Sequence, residues 1–145
     1  MYNSILVPTD GSDGTKKALE HAIEIATLSD ATIHVLSVVD RRLYLAAGEE
    51  QKDELQGSLH EDAVTAVNDV ATTVREADVE CTTAVRDGIP YRCILDYADE
   101  HDVDAVVMGT HGRTGRDKLA SLGSVTERVV QNTSRPVLVV SIGRE

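Results

Sequence analysis

Four glycines, Gly109, Gly112, Gly115 and Gly123, fall within fifteen residues, and Ser124 follows the last of them. Glycine lets a backbone approach a phosphate closely, and the N–H groups that open a helix attract anions. The segment Gly109-Thr110-His111-Gly112 leaves a short apolar run, residues 105–108, and so reads as a loop at the carboxyl end of a strand. Two other strand ends carry polar residues, Pro8-Thr9-Asp10-Gly11-Ser12 and Asp87-Gly88. Such a set suits phosphate binding, but not by the commonest motifs. No Gly-Lys-[Ser/Thr] ending is present, so there is no P-loop, and the turn after the first strand holds only Gly11 and Gly14 of a dinucleotide fingerprint. No nucleophile–base pair or carboxylate pair can be placed, so catalysis is not indicated. His21, His34, His60 and His101 share no metal-ligand spacing with carboxylates or cysteines. Cys81 and Cys93 match no zinc or redox pattern and are expected to be small buried hydrophobes.

These residues need elements to position them. Ile5-Leu6-Val7 reads as a buried strand stopped by Pro8, and Ser12 or Asp13 can cap a helix with Ala18, Leu19, Ala22, Ile25 and Ala26 inward. Residues 32–39 form a second strand and residues 41–48 a loop. A long helix over about 49–76 places Leu55, Leu59, Ala63, Val67, Val70 and Val74 on one face. Residues 79–85 are a third strand ended by Asp87-Gly88, and Pro90 opens a helix that continues through Ile94, Leu95 and Ala98. The fourth strand, residues 105–108, is followed by a loop-like start to residues 109–122, a helix over 124–131 and a fifth strand over 136–141. Strands alternating with helices specify an α/β fold, an open five-stranded parallel sheet with helices on both faces. Ligands in such sheets sit where the strand order reverses. A 3-2-1-4-5 order puts that point between the Pro8 and Gly109 loops, whereas 2-1-3-4-5 would use the Pro8 and Asp87 loops.

Bulk composition narrows the function. The 145 residues fit one domain, residues 1–145, with no internal repeat or linker, and the absence of Phe and Trp makes the core aliphatic. The formal charge of −11 argues against nucleic acid, which needs basic surface, but not against a single nucleotide held by backbone N–H groups. No segment approaches the roughly 18 apolar residues of a membrane span, and no leader precedes the first strand, so a cytoplasmic location is expected. Arg outnumbers Lys ten to four and Asp outnumbers Glu fourteen to eleven, a balance that suits either a high-salt cytoplasm or an ordinary acidic soluble domain.

Met108-Gly109-Thr110-His111-Gly112-Arg113-Thr114-Gly115, then Leu122-Gly123-Ser124-Val125-Thr126-Glu127 and Arg135-Pro136-Val137-Leu138-Val139-Val140, closely resemble the universal stress protein family. Ile5-Leu6-Val7-Pro8-Thr9-Asp10-Gly11-Ser12 and Asp104-Ala105-Val106-Val107-Met108 match it as well. The resemblance implies the Rossmann-like 3-2-1-4-5 sheet and, in one branch of the family, ATP binding through Gly-x2-Gly-x9-Gly-[Ser/Thr]. Gly109, Gly112, Gly123 and Ser124 fill that pattern, but ten residues, 113–122, stand where the branch has nine. By resemblance, Asp10 accepts a hydrogen bond from the adenine amino group, and Pro8, Thr9 and Val38 line the base pocket, with Met108 beside them. Gly109 and Gly112 admit main-chain amides to the phosphates and Ser124 adds a hydroxyl, while Arg113 either neutralises phosphate charge or points to water. Gly123 and Val125 bring helix N-terminal amides to ribose and phosphates, and magnesium arrives with ATP, held by its phosphates. The resemblance also implies a homodimer joined through Pro136-Val137-Leu138-Val139-Val140. Three functions fit: an ATP-binding regulatory module in stress response or signalling, a slow ATP hydrolase using the same pocket, and a nucleotide-free interaction protein.

Overall fold

In the computed structural model the described residues are 2–110 and 123–141. Five parallel strands, β1 (Ser4–Pro8), β2 (Thr32–Asp40), β3 (Cys81–Gly88), β4 (Ala105–Gly109) and β5 (Val137–Val140), form one sheet in the order β3-β2-β1-β4-β5. Five helices intervene: α1 (Asp13–Ser29), α2 (Arg41–Leu45), α3 (Glu49–Glu76), α4 (Pro90–His101) and α5 (Ser124–Asn132). The architecture is the one expected.

Alternation along β1 builds two cores from three consecutive aliphatic residues. Ile5 and Val7 face one side of the sheet, where they meet Ile33 and Val35 of β2, Val107 of β4, Ala18 and Ala22 of α1, and Val67 and Val74 of α3. Leu6 faces the other side, with Leu36, Val106 and Met108, beneath Ile94 and Tyr97 of α4 and Val129 of α5. A strand covered on both faces has no polar side to show, which is why the strands read as unbroken apolar runs. The ends of the elements are fastened by polar contacts. Asp104 Oδ2 accepts the amides of Asn3 at 2.7 Å and Ser4 at 3.0 Å, and those bonds hold its carboxyl below the usual range. Arg135, little exposed, donates to the Val103 carbonyl at 2.8 Å and pairs with Asp99 and Asp102, tying the segment before β5 to the end of α4 and the turn before β4.

Four details differ from the sequence expectation. Residues 41–48, expected as a loop, contain α2, because the Asp40 carboxylate accepts the Arg42 amide at 3.1 Å and Tyr44 is buried against Val39 and Ala63. β3 runs on through Asp87 and Gly88, which pair with Val39 and Asp40 rather than ending the strand before them. Cys81 and Cys93, expected to be buried, are each half-buried. On α3 the inward face is Ala63, Ala66, Val67, Ala71 and Val74, while Leu55, Leu59 and Val70 are only partly covered.

Candidate functional site

The sheet opens between β1 and β4. Their pairing stops at Leu6↔Val106, yet β1 stays paired with β2 as far as Pro8↔Leu36 and β4 with β5 as far as Gly109↔Val140. The two central strands therefore part at their carboxyl ends while each is still held by its outer neighbour. This is the point at which the strand order reverses, where parallel sheets take ligands.

Each wall of the opening is built by local chemistry. On the β1 side the Thr9 amide donates to the Leu36 carbonyl at 2.8 Å, and the buried Thr9 hydroxyl bonds the Thr15 hydroxyl at 3.0 Å. Thr9 Oγ1 also accepts the Gly11 amide at 3.0 Å, which turns the chain sharply. Gly11 sits at φ 83°, in the left-handed region where a side chain would be strained. Asp10 is exposed at the rim, and its Oδ1 accepts the Ser12 amide at 2.9 Å. Ser12 occupies the N-cap of α1 without a side-chain capping bond.

On the β4 side, the Thr110 amide donates to the Val140 carbonyl at 3.0 Å, and the Gly123 amide donates to the Thr110 carbonyl. The buried Thr126 hydroxyl donates to the Gly109 carbonyl at 2.9 Å. These bonds set the first turn of α5 directly on the end of β4. Gly123 is the N-cap of α5 and offers no side chain, so the cap residue makes no side-chain hydrogen bond to the first-turn amides. A helix start of this kind carries a partial positive charge and donors that lack intrahelical acceptors.

The description "Universal stress protein family" belongs to the family model that matches residues 1–141. The chain belongs to the universal stress protein family. Universal stress protein MJ0531 of Methanocaldococcus jannaschii is 38% identical to it over 141 residues, 97% of this chain and 82% of that protein. The solved structure of protein MJ0577 from the same organism superposes with a TM-score of 0.89 at 33% identity, covering 100% of this chain and 99% of that one. A universal stress protein of Archaeoglobus fulgidus, solved in complex with dAMP, gives a TM-score of 0.72 at 25% identity over 95% of this chain and 97% of that one.

Within this universal stress protein the expected ligand residues are brought to one edge, but on different surfaces. Val38, half-buried, and Met108, buried, belong to the core beneath α4 and α5, and Val125 packs on that core. Pro8, half-buried, ends β1 beside Leu36. Thr9 is buried and its hydroxyl bonds Thr15, so that hydroxyl shapes the turn. Gly109, Gly123 and Ser124 lie together through the Thr110 and Thr126 bonds. Gly112 and Arg113 lie outside the described residues, as does Gly115. Sequence reasoning passed over Thr15 and Thr126, whose buried hydroxyls hold the two walls. Their signal was position: each lies six or two residues beyond a residue already singled out, Thr9 and Ser124. Among the described residues no group of three His, Cys, Asp or Glu side chains could hold a metal, and no helix is long and apolar enough to cross a membrane.

Proposed function

We propose that this universal stress protein binds ATP in the opening between β1 and β4 and serves as a regulatory module that reports the nucleotide. The observation that carries the reading is the parting of β1 and β4 beside the first turn of α5, whose N-cap Gly123 has no side chain. The A. fulgidus relative was solved with an adenine nucleotide, dAMP, which supports the same ligand class here. In this reading Pro8, Val38 and Met108 contact the base, and Asp10 accepts from the adenine amino group. A carboxylate has about four acceptor sites, so the turn bond to Ser12 is compatible with that second task. Gly109 and Gly112 admit the phosphates to the backbone, and Arg113 offsets their charge. Ser124, with the amides of Gly123 and Val125, holds ribose and phosphate oxygens. Magnesium is carried by the phosphates, consistent with the metal's preference for phosphate oxygens and water. None of these groups forms a nucleophile–base pair, so binding with little or no turnover is expected.

Calorimetry of nucleotide-stripped protein with ATP and magnesium tests the reading. Saturable binding at micromolar to millimolar nucleotide is the expected outcome, and phosphate release over hours distinguishes a regulatory module from a slow hydrolase. No heat at millimolar ATP would leave the nucleotide-free interaction protein in its place.

A homodimer completes the proposal. β5 is an edge strand, and Leu138 at its centre is 41% exposed. An apolar edge with unpaired backbone groups favours pairing with a second copy, as the family resemblance implies. Sedimentation should give a dimer at micromolar concentration and a monomer for Leu138→Lys, since an edge lysine opposes strand addition. A wild-type monomer would rule the pairing out.

A further inference from the structure

Among the described residues Arg41, Arg75, Arg92 and Arg128 make no salt bridge, and of these Arg92 and Arg128 share one tyrosine ring. Arg42 pairs with Asp40, Arg86 with Glu100, and Arg135 with Asp99 and Asp102. Among the described residues, neither Arg92 nor Arg128 comes within salt-bridge distance of a carboxylate, although 25 acidic side chains are available in the sequence. Asp96 acts on Arg92 only as a more distant charge. Instead both guanidinium groups gather on Tyr91. Arg92 Nε donates to the phenol oxygen at 3.1 Å, with its guanidinium 5.8 Å from the ring centre. Arg128 reaches across from α5 and lies 5.0 Å from the same ring. Arg92, and Arg128 with it, hold the Tyr91 phenol below its usual range.

Two like charges collected on one neutral ring repel each other, and an anion placed between them would relieve that repulsion. Their place in the fold says which anion. In a parallel sheet the connecting helices run back against the strands, so their first turns lie at the strands' carboxyl edge. Tyr91 and Arg92 are in the first turn of α4, after β3, and α5 begins beside the end of β4. Arg128 is four residues after Ser124, on the same helix face, and helical side chains lean toward the N-terminus. Arg128 therefore leans toward the turn that begins with Ser124. Tyr91 also packs on the core shared by Val38, Met108 and Val125.

We propose that Arg92 and Arg128, gathered on Tyr91, form an anion clamp for the terminal phosphates of the bound nucleotide, so that the site selects nucleoside triphosphates over monophosphates. This rests on the nucleotide-binding reading above and adds the phosphate count to it. Both arginines are exposed, so the clamp is reachable, and glutamine is a comparable helix former. R92Q/R128Q should fold as the wild type does.

The test is calorimetric titration of ATP and of AMP, separately, into the wild type and R92Q/R128Q. The wild type should prefer ATP, and the double variant should lose about tenfold in ATP affinity, the range of charge-assisted hydrogen bonds at an exposed site. AMP affinity should stay within about twofold, and the salt dependence of ATP binding should become shallower. Unchanged ATP affinity, or equal losses for ATP and AMP, would overturn the clamp while leaving the nucleotide site standing. A wild type that binds neither nucleotide would remove both readings together. Should the double variant fail to fold, R92Q and R128Q singly report the same ATP-to-AMP ratio.

Discussion

Ser124→Glu is expected to weaken ATP binding by about 2 to 3 kcal/mol while leaving the fold as stable as before or slightly more so. The two effects have opposite sign because they come from the same feature. Ser124 is the first residue of α5, it is exposed, and its helix begins at Gly123 without a side-chain cap. A carboxylate in a first turn interacts favourably with the helix dipole, by about 0.3–1 kcal/mol. Phosphates placed at the same amides would meet that carboxylate at close range, and two unit charges about 5 Å apart near a surface repel by roughly 3 kcal/mol before salt screening. Ser124→Ala, which removes only a hydroxyl, should cost no more than about 1 kcal/mol of binding. Thermal melting and calorimetry on the same preparations separate the two quantities. An Ser124→Glu protein that binds ATP as well as the wild type would place the phosphates elsewhere than at α5.

The legible part of this molecule was the part written in local pattern. Ile5, Leu6 and Val7 are all apolar because they face two different cores, so an unbroken run implied a strand covered on both sides. Pro90 at the start of α4 and the glycines before α5 marked helix beginnings. Strand order was not written locally, since neither candidate order changes any single strand; it came with the family resemblance. The parting of β1 from β4 was invisible for the same reason, being a difference between two registers. α2 escaped because a five-residue helix has too few turns to show a period, and it stands on the Asp40 cap and the burial of Tyr44. Asp10 and Thr9 were read as ligand residues through the family resemblance. The fold also uses both in the turn that leads into α1, through the amides of Ser12 and Gly11.

Tyr97→Ala is expected to cost about 3–5 kcal/mol of folding stability, enough to leave a domain of this size marginal. Tyr97 is 1% exposed and is the largest fully buried side chain among the described residues. Its ring stacks on His101 with centroids 3.9 Å apart, and Arg86 lies 5.0 Å over it while pairing with Glu100. Its hydroxyl meets His34 Nδ1 at 2.7 Å, which joins α4 to β2 beneath the helix. Burial pushes the phenol up, so the hydroxyl keeps its proton and stays hydrogen-bonded to His34. His34 is itself held below 6.5, first by burial and then by the His101 charge. A histidine kept neutral in the fold supports stability above its unfolded pKa, and that support is lost as pH falls from 6.5 toward the lower folded value. Urea unfolding at about pH 7.5 and about pH 5.5 should therefore show a less stable protein at the lower pH. Tyr97→Phe keeps the ring and its stack, so it should cost only about 1 kcal/mol. It should also keep the pH slope, because burial and His101, not the hydroxyl, depress His34. A Tyr97→Ala protein within about 1 kcal/mol of the wild type would mean that the α4 face collapses into the space and does not depend on this ring.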